Sequence, residues 1–444
     1  MARTFKLGGI HPHDNKLSRA AAIEQFPVPA SVTVMLGQHI GAPATPVVAK
    51  GDKVKVGDVI GTAAGFVSAN VHSPVSGTVT AVDFAPDGGN IRRPAITIAV
   101  EDDLWNEAID RSDDIIRDFD LSPEEIIAKV AGAGIVGMGG ATFPAHVKLN
   151  VPEGKKVEML IVNGVECEPY LTADHRLMLE KGEELLVACL IVMRALRVER
   201  CSIGIENNKP DAIENLRALA ANERYEKIEI VPLKVQYPQG GEKQLINAVT
   251  GREVPSGGLP ADIGAVVQNV STMYAIYQAV QKNRPLIDRV VTVTGKSVGK
   301  PSNLFVRIGT PLSALIEACG GMPEGEAKVI NGGPMMGRAV SNTGSAVTKG
   351  TSGILVMEGK AATRAEAGTC ISCAKCVGVC SMGLEPYLLY KLSKIALYDR
   401  TERERITDCI ECGSCAYTCP AKLPLLDYIR LGKTETMKII RSRK

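Results

Sequence analysis

The sequence lacks what several large protein classes require. No apolar run approaches the ~20 residues needed to span a bilayer; the longest, Leu185–Met193, has nine. Neither charge sign dominates: 51 Lys and Arg stand against 49 Asp and Glu, a formal net charge of +2. That balance argues against a chain built to coat nucleic acid. The first residues, MARTFKLGGIHPHD, contain no apolar signal core, so a reducing cytoplasm is the expected setting. His11 and His13 have no further ligands around them, which points to a structural or docking arm and not to a metal site. Apolar residues make up 45% and charged residues 23%, the composition of a globular chain. A length of 444 residues suggests about three domains.

Cysteine is what the sequence does have, and it is unevenly placed. Eight of the 12 fall between Cys370 and Cys419, while Cys167, Cys189, Cys201 and Cys319 are scattered singly. A disulfide scaffold would spread its pairs through a small secreted domain. Here Cys370, Cys373, Cys376 and Cys380 read C-x2-C-x2-C-x3-C. Cys409, Cys412, Cys415 and Cys419 repeat that spacing, followed by Pro420. Three thiolates on a tight loop reach three corners of a cubane cluster, and the fourth cysteine of each run ligates the other cluster. Cys370, Cys373, Cys376 and Cys419 are therefore assigned to one [4Fe–4S] cluster. Cys380, Cys409, Cys412 and Cys415 are assigned to the second. Zinc is the rival reading, but zinc sites favour separated CxxC pairs, often with histidine. Ser381, where proline would follow the first run, removes no ligand. The four single cysteines are read as structural.

The rest of the chain changes texture in blocks. VVAKGDKVKVGDVIG and NVHSPVSGTVTAV read as short strands with glycine turns, resembling the halves of a biotinyl/lipoyl-type barrel sandwich. The hairpin that would carry a modified lysine reads GFVSANVHSP and has none, so no covalent prosthetic group is expected. Residues 101–121 are polar and read as a linker. Ser122 and Glu125 form a capping box, with Pro123 in the first turn. Beyond them strands at 159–162, 202–205 and 228–231 alternate with helical patterns at 174–198, 210–223, 242–249 and 270–282, predicting an α/β domain with a largely parallel sheet. Residues 286–358 form a β-rich block around one short helix, resembling the β-grasp domain that follows the flavin domain in respiratory flavoproteins. The apolar stretch LEPYLLYKLSKIALYD between the cysteine runs is predicted to be a helix packing the two clusters together.

Gly132, Gly134 and Gly137 spell G-x-G-x-x-G, but they follow a predicted helix, whereas a dinucleotide turn must follow a strand and open a helix. The wider stretch GIVGMGGATFPAHVKL is more specific. Its glycines let backbone amides approach a phosphate and a flavin ring. It resembles GRGGAGFPTGxKW of the FMN- and NADH-binding subunit of respiratory complex I and related hydrogenases. In the same order, IVNGVECEP resembles CNADExEP, GGEKQLINAVTGREVP resembles GEETALxxxxEGxxxxP, and QNVSTMYAI resembles NNVETLANV. Four ordered matches over about 150 residues outweigh any one of them. With TFKLGGIHPHDNK, NGVECEPYLTADHRLM, YPQGGEKQL and NGGPMMG, nearly all of residues 1–430 resembles the RnfC family, the peripheral NADH-side subunits of the Rnf ferredoxin:NAD+ oxidoreductases.

That resemblance implies a multidomain α/β plus α+β fold. Its parts are an arm and barrel sandwich (1–100), the linker (101–121), an FMN/NADH-binding α/β domain (122–285) and an SLBB-like β-grasp domain (286–360). A ferredoxin-like helical domain with two [4Fe–4S] clusters (361–430) and a basic tail (431–444) follow. It implies non-covalent FMN at Gly137, Gly139, Gly140, Lys148, Asn163, Gly241, Glu242, Asn269 and Thr272, with Phe143 and Glu168 on the NADH side. Three positions depart from the motifs. Met138 replaces an arginine, Val165 replaces an acid, and Lys243 replaces a glutamate.

The implied chemistry is redox through cofactors, with no catalytic side chain. A nicotinamide exchanges two electrons and a cluster one, and a flavin joins the two regimes. The implied partners are a ferredoxin-like iron–sulfur subunit and integral membrane subunits, at the cytoplasmic face of the cell (inner) membrane. Two rivals remain: a soluble flavin/iron–sulfur protein serving a reductase, and a ferredoxin adaptor with a degenerate flavin site. Anaerobically purified protein is expected to contain about eight iron atoms per chain, from two four-iron clusters, with matching acid-labile sulfide. Zinc without iron on metal analysis would refute the assignment.

Overall fold

The computed structural model describes residues 2–325 and 327–443. The chain builds four packed units, and its first residues belong spatially to more than one of them. Residues 2–22 run as an arm along the second unit. Strand β1 (Ile23–Gln25) then pairs in parallel with a strand of the third.

The barrel sandwich is made of β2 (Ser31–Met35), β3 (Thr45–Pro46), β4 (Lys53–Val54), β5 (Val59–Thr62), β6 (Val71–His72), β7 (Gly77–Pro86) and β8 (Arg92–Val100). They form two sheets, β2-β8-β7-β4 and β3-β5-β6. Alternating Val32, Val34, Ile96 and Ile98 fill the space between them, as period-2 patterning requires. Residues 101–121 are no free spacer: Trp105 lies under the guanidinium groups of Arg111, Arg284 and Arg307, and Ile115, Phe119 and Leu121 pack on the core of the second unit.

The α/β unit opens with α1 (Pro123–Gly132), capped as its sequence demands. Glu125 N donates to Ser122 Oγ, and Ser122 N donates to the Glu125 carboxylate. It continues through α2 (Ala145–Leu149), β9 (Met159–Asn163), α3 (Ala173–Glu180), α4 (Gly182–Leu196), β10 (Cys201–Glu206), α5 (Pro210–Ala220), β11 (Ile228–Leu233), α6 (Glu242–Thr250), β12 (Ala265–Asn269) and α7 (Val270–Gln281). The pattern predicted as one helix over 174–198 is two, parted at Lys181. The nine-residue apolar run lies inside α4 and belongs to the core. All four strands are parallel, in the order β11-β10-β9-β12.

The third unit is the β-grasp: β13 (Asp288–Thr294), β14 (Ser302–Arg307), α8 (Leu312–Ala318), β15 (Ala327–Asn331), β16 (Arg338–Val340) and β17 (Gly353–Glu358). Its sheet runs β1-β14-β13-β17-β15-β16, with α8 buried against it through Leu312, Leu315 and Ile316. Buried lysines tie the units together by donating to backbone carbonyls. Lys16 of the arm reaches Glu166 O at 2.8 Å, Glu168 O at 2.9 Å and Leu171 O at 2.5 Å. Lys349 of the third unit reaches Asn70 O of the barrel and Gly134 O of the second unit, both at 2.7 Å.

The fourth unit is helical: α9 (Lys375–Gly378), α10 (Pro386–Lys394), α11 (Tyr398–Arg403), α12 (Ser414–Thr418) and α13 (Leu425–Ser442). The single helix predicted between the cysteine runs is two, α10 and α11. The residues read as a basic tail are the second half of α13, seated by a buried Thr436–Thr401 hydroxyl contact of 2.6 Å. One turn earlier on α13, Gly432 faces Ser393 of α10 so closely that any Cβ would collide with its side chain. Gly432→Val is expected to cost about 1–3 kcal/mol by overpacking this contact. A lowered thermal midpoint checks it, and an unchanged midpoint would contradict the packing described.

Candidate redox site: a crevice at the sheet switch point and two thiol sets

In an open parallel sheet, ligands collect at the carboxyl ends of the strands where the order reverses direction. Here β9 is the first strand in sequence, β10 and β11 lie to one side, and β12 lies to the other. β9 and β12 end level, with Asn163 opposite Asn269 in register. The glycine segment folds back over this point. Gly137 N donates to Phe143 O at 2.9 Å, and Met138 N donates to Thr272 Oγ1 at 2.9 Å. A Cβ on Gly139 would stand 2.5 Å from Asn269 Nδ2, so only glycine lets the loop rest there. Gly139 and Gly140 are exposed, and beside Gly140 the space is open.

The amides at the strand ends are fixed. Asn269 accepts from Ser271 N at 2.9 Å, capping α7, and donates to Asp174 at 2.6 Å. Ser271 Oγ donates to the other Asp174 oxygen at 2.5 Å. Asn163 donates to Gly240 O at 2.8 Å. Lys148 on α2 donates to Glu242 at 2.6 Å, at the start of α6, whose N-cap is Gly241. The structure thus gathers Gly137, Gly139, Gly140, Phe143, Asn269 and Thr272 on one side of the crevice. Asn163 with Gly240, and Lys148 with Gly241 and Glu242, stand on the other. The crevice thus brings together exposed glycine backbone, an ammonium and two carboxamides, groups that could hold a phosphorylated flavin.

Glu168 stands apart from this group. Its carboxylate accepts from Met335 N at 3.1 Å and Met336 N at 2.7 Å, tying the NGGPMMG loop of the third unit to the second. Asp174 lies in the NGVECEPYLTADHRLM stretch, but its role becomes legible only once α3 and α7 lie side by side. Cys167 lies in the same segment as Glu168; Gly240 N donates to its Sγ at 3.3 Å, and burial pushes the thiol up, away from reactivity.

The two cysteine runs share one backbone geometry. The second and fourth residues after each leading cysteine, Ser372 and Ala374, Glu411 and Gly413, are all left-handed. Each loop therefore curls around its thiols and turns amides inward, the anion-holding form of a nest. Cys370, Cys373, Cys376 and the distant Cys419 line one cavity of about 220 Å³ with Tyr387, Leu423 and Leu425. Four thiols facing one shared space are the donor set that a [4Fe–4S] cluster takes. Cys380 leaves its own run and joins Cys409, Cys412 and Cys415. Burial, helped by neighbouring Cys412 and Cys380, pushes the Cys409 thiol up to about 12. Amides of Glu411 and Leu384 donate to Cys409 and Cys380, each at 3.4 Å. Cys419 thus lies beside the first run and Cys380 beside the second.

Comparison with known proteins gives a consistent domain order. Residues 4–103 match the RnfC barrel sandwich hybrid domain, 130–278 the Nuo51 FMN-binding domain, 290–339 the SLBB domain and 362–420 the 4Fe-4S dicluster domain. The chain is 47% identical to the C subunit of the proton-translocating ferredoxin:NAD(+) oxidoreductase complex of Clostridium ljungdahlii, over 98% of this chain and 94% of that one. It is 45% identical to the Na(+)-translocating counterpart of Acetobacterium woodii, over 97% of each chain. The C subunit of the ion-translocating oxidoreductase complex of Rhodobacter capsulatus is also 45% identical, over 86% of this chain and 73% of its own. Among solved structures, an H2-reduced NAD+-reducing [NiFe]-hydrogenase aligns at a TM-score of 0.49 and 18% identity, covering 72% of this chain and 61% of that one.

Burial pushes the Glu168 carboxyl up from 4.5 to about 7, against the pull of the two amides it accepts from. Between those values the folded chain holds a proton that the unfolded chain has released, so stability falls as pH rises through the window. Glu168→Gln removes that linkage. The decline in stability from pH 5 to 8 is expected to shrink by roughly 3 kcal/mol in the variant. Denaturant melts across that range measure it, and parallel curves for the two proteins would refute it.

Proposed function

The chain belongs to the RnfC family of ion-translocating ferredoxin:NAD+ oxidoreductases, and from that premise we propose which of its residues carry electrons, and in what order. It is an electron-transferring oxidoreductase and translocase subunit that uses FMN, two [4Fe–4S] clusters and NAD(H). When bound, the flavin supplies the exchange between a two-electron hydride and one-electron carriers. Around it, the amides of Gly139 and Gly140 and the ammonium of Lys148 would take the phosphate, with Gly137 turning the loop through its bond to Phe143 O. Asn163, Asn269 and Thr272 fix the ring edge, and Gly241 and Glu242 shape the mouth. Phe143 and Glu168 lie on the nicotinamide side, with Glu168 acting through the loop it holds. Cys370, Cys373, Cys376 and Cys419 hold the first cluster; Cys380, Cys409, Cys412 and Cys415 hold the second.

One observation carries the order. The second thiol set is fastened to the flavin unit: Tyr237 Oη donates to Cys412 O at 2.7 Å, and Gln244 Nε2 donates to Ser381 O at 3.2 Å. The loop of the first set lies outward, with Cys373 exposed and Ile371 68% exposed. The second cluster is therefore the flavin's neighbour, and the first faces a partner. That partner is an iron–sulfur subunit of the same complex, beside integral membrane subunits. No helix among the described residues is long and apolar enough to cross a membrane. We place the protein at the cytoplasmic face, where NAD(H) is found and thiols stay reduced. Relatives from complexes named for protons and for sodium resemble the chain almost equally, which supports leaving the coupling ion to the membrane partners.

Cys373→Ala and Cys412→Ala separate the two positions. In anaerobically reconstituted protein each variant is expected to lose about half its iron, and NADH should bleach the flavin in both. The cluster left in Cys373→Ala should still be reduced by NADH; the one left in Cys412→Ala should not. The reverse pattern would overturn the order, and a flavin inert to NADH in a fully loaded sample would overturn the nicotinamide site.

A further inference from the structure

Between the flavin crevice and the second thiol set lies a junction that holding either cofactor does not require. At its centre is Tyr237, 2% exposed, whose hydroxyl donates to Cys412 O. Three residues on, Gly240 O accepts the Asn163 amide at the end of β9. The segment Tyr237–Gly240 thus touches the proposed flavin floor at one end and the backbone of a cluster ligand at the other.

The N-terminal arm backs this segment. Ile10 and Tyr237 exchange both backbone hydrogen bonds, each 2.8 Å. Gln236 Nε2 donates to Gly8 O at 2.9 Å, and Gly9 N donates to Val379 O at 3.0 Å. Gly8 is left-handed at φ +69°, and a Cβ there would stand 2.7 Å from the carbonyl carbon of Cys380. Arm, segment and both cysteine runs meet with no room for another atom. Cys380 is fixed through the arm and Cys412 through Tyr237, so both sides of the second thiol set are referred to the flavin unit.

We propose that Tyr237–Gly240, backed by Gly8–Ile10, is the positioning element that sets the gap between the flavin and the second cluster, with the Tyr237 hydroxyl as its anchor. The proposal rests on the site reading above. Electron tunnelling falls steeply with distance, and less steeply through covalent and hydrogen-bonded contacts than across van der Waals gaps. The reduced flavin gives up one electron, the oxidised cluster gains it, and no bond forms or breaks. Tyr237 is not itself oxidised; it holds the distance.

Tyr237→Phe keeps the buried ring and removes the hydroxyl, with its bond to Cys412 O and its contact with the Glu168 carboxylate. In loaded protein, iron content, flavin content and the rate of flavin bleaching by NADH are expected to stay at wild-type values. Cluster reduction after flavin bleaching, followed by stopped-flow absorbance, is expected to slow measurably relative to wild type. Hydrogen exchange supplies a readout independent of turnover. Amides 409–413 should exchange about tenfold faster for the lost bond, while amides 137–142 stay unchanged. Gly8→Ala, which pushes on Cys380 and leaves Tyr237 intact, should give the same split between flavin and cluster rates. Wild-type cluster reduction in both variants, or equal slowing of flavin and cluster reduction, would overturn the proposal. If NADH fails to reduce the flavin in the wild type, the site reading fails instead. The exchange pattern of residues 409–413 then still decides whether Tyr237 holds that loop.

Discussion

The level ending of β9 and β12 is the constraint on which the rest of the molecule turns. Parallel strands cannot be joined by a tight turn, so their carboxyl ends are left open to whatever the loops bring. With Asn163 and Asn269 opposite each other, three separate segments converge on one crevice. The glycine loop presses on Asn269, the segment ending at Gly240 takes the Asn163 amide, and α2 brings Lys148 to the start of α6. A one-residue slip of β12 would send Asn269 to the opposite face and undo the cap of α7 together with the loop contact. Register is therefore a functional quantity here, fixed by the apolar strands Met159–Asn163 and Ala265–Asn269 deep in the core.

A relay of cofactors has no transition state for side chains to grip; its rate depends on gaps. That explains why the chain tolerates buried ammonium groups whose desolvation is costly. Burial pulls Lys349 down to about 7 and Lys16 down to about 8, yet each donates to carbonyls of segments far away in sequence. Lys349 ties the barrel and the glycine segment to the third unit, and Lys16 ties the arm to residues 166–171. Lys282 does the same for residues 110–112, through Asp110 and Ser112. Such cross-links favour rigidity between units over flexibility, as electron transfer at fixed distance demands.

Much of this was legible because it repeats or alternates. The capping box marked α1, period-2 runs marked the barrel, and two identical cysteine spacings marked the thiol loops with their crossed fourth ligands. What escaped is what tertiary packing decides. β12 is a five-residue strand whose apolar run cannot be told from helix by periodicity. The break at Lys181 leaves the helical pattern intact on both sides. The basic end of the chain looks like a solvated tail until Thr436 of α13 is seen against Thr401 of α11. Nothing in the sequence sets Lys16 and Lys349 apart from other lysines, and only the fold shows them buried. Gly8–Gly9 looks like a turn; its meaning comes from Cys380, hundreds of residues away.

The three departures from the flavin motifs fall where this architecture can absorb them. Met138 is buried where the motif has arginine, and its contribution is its backbone amide, given to Thr272. Val165 is fully buried, and its carbonyl, not its side chain, is used, accepting from Lys209 at 2.7 Å. Lys243 turns away from the crevice and donates to Pro255 O. None of the three supplies the contacts that shape the crevice, which are made by the backbone and by Asn163, Asn269, Lys148 and Glu242. Losing an acid at 165 makes the surroundings more positive, which favours a phosphorylated, anionic ligand. A cradle made of backbone tolerates side-chain exchange at its edges so long as its glycines and its strand register stay in place.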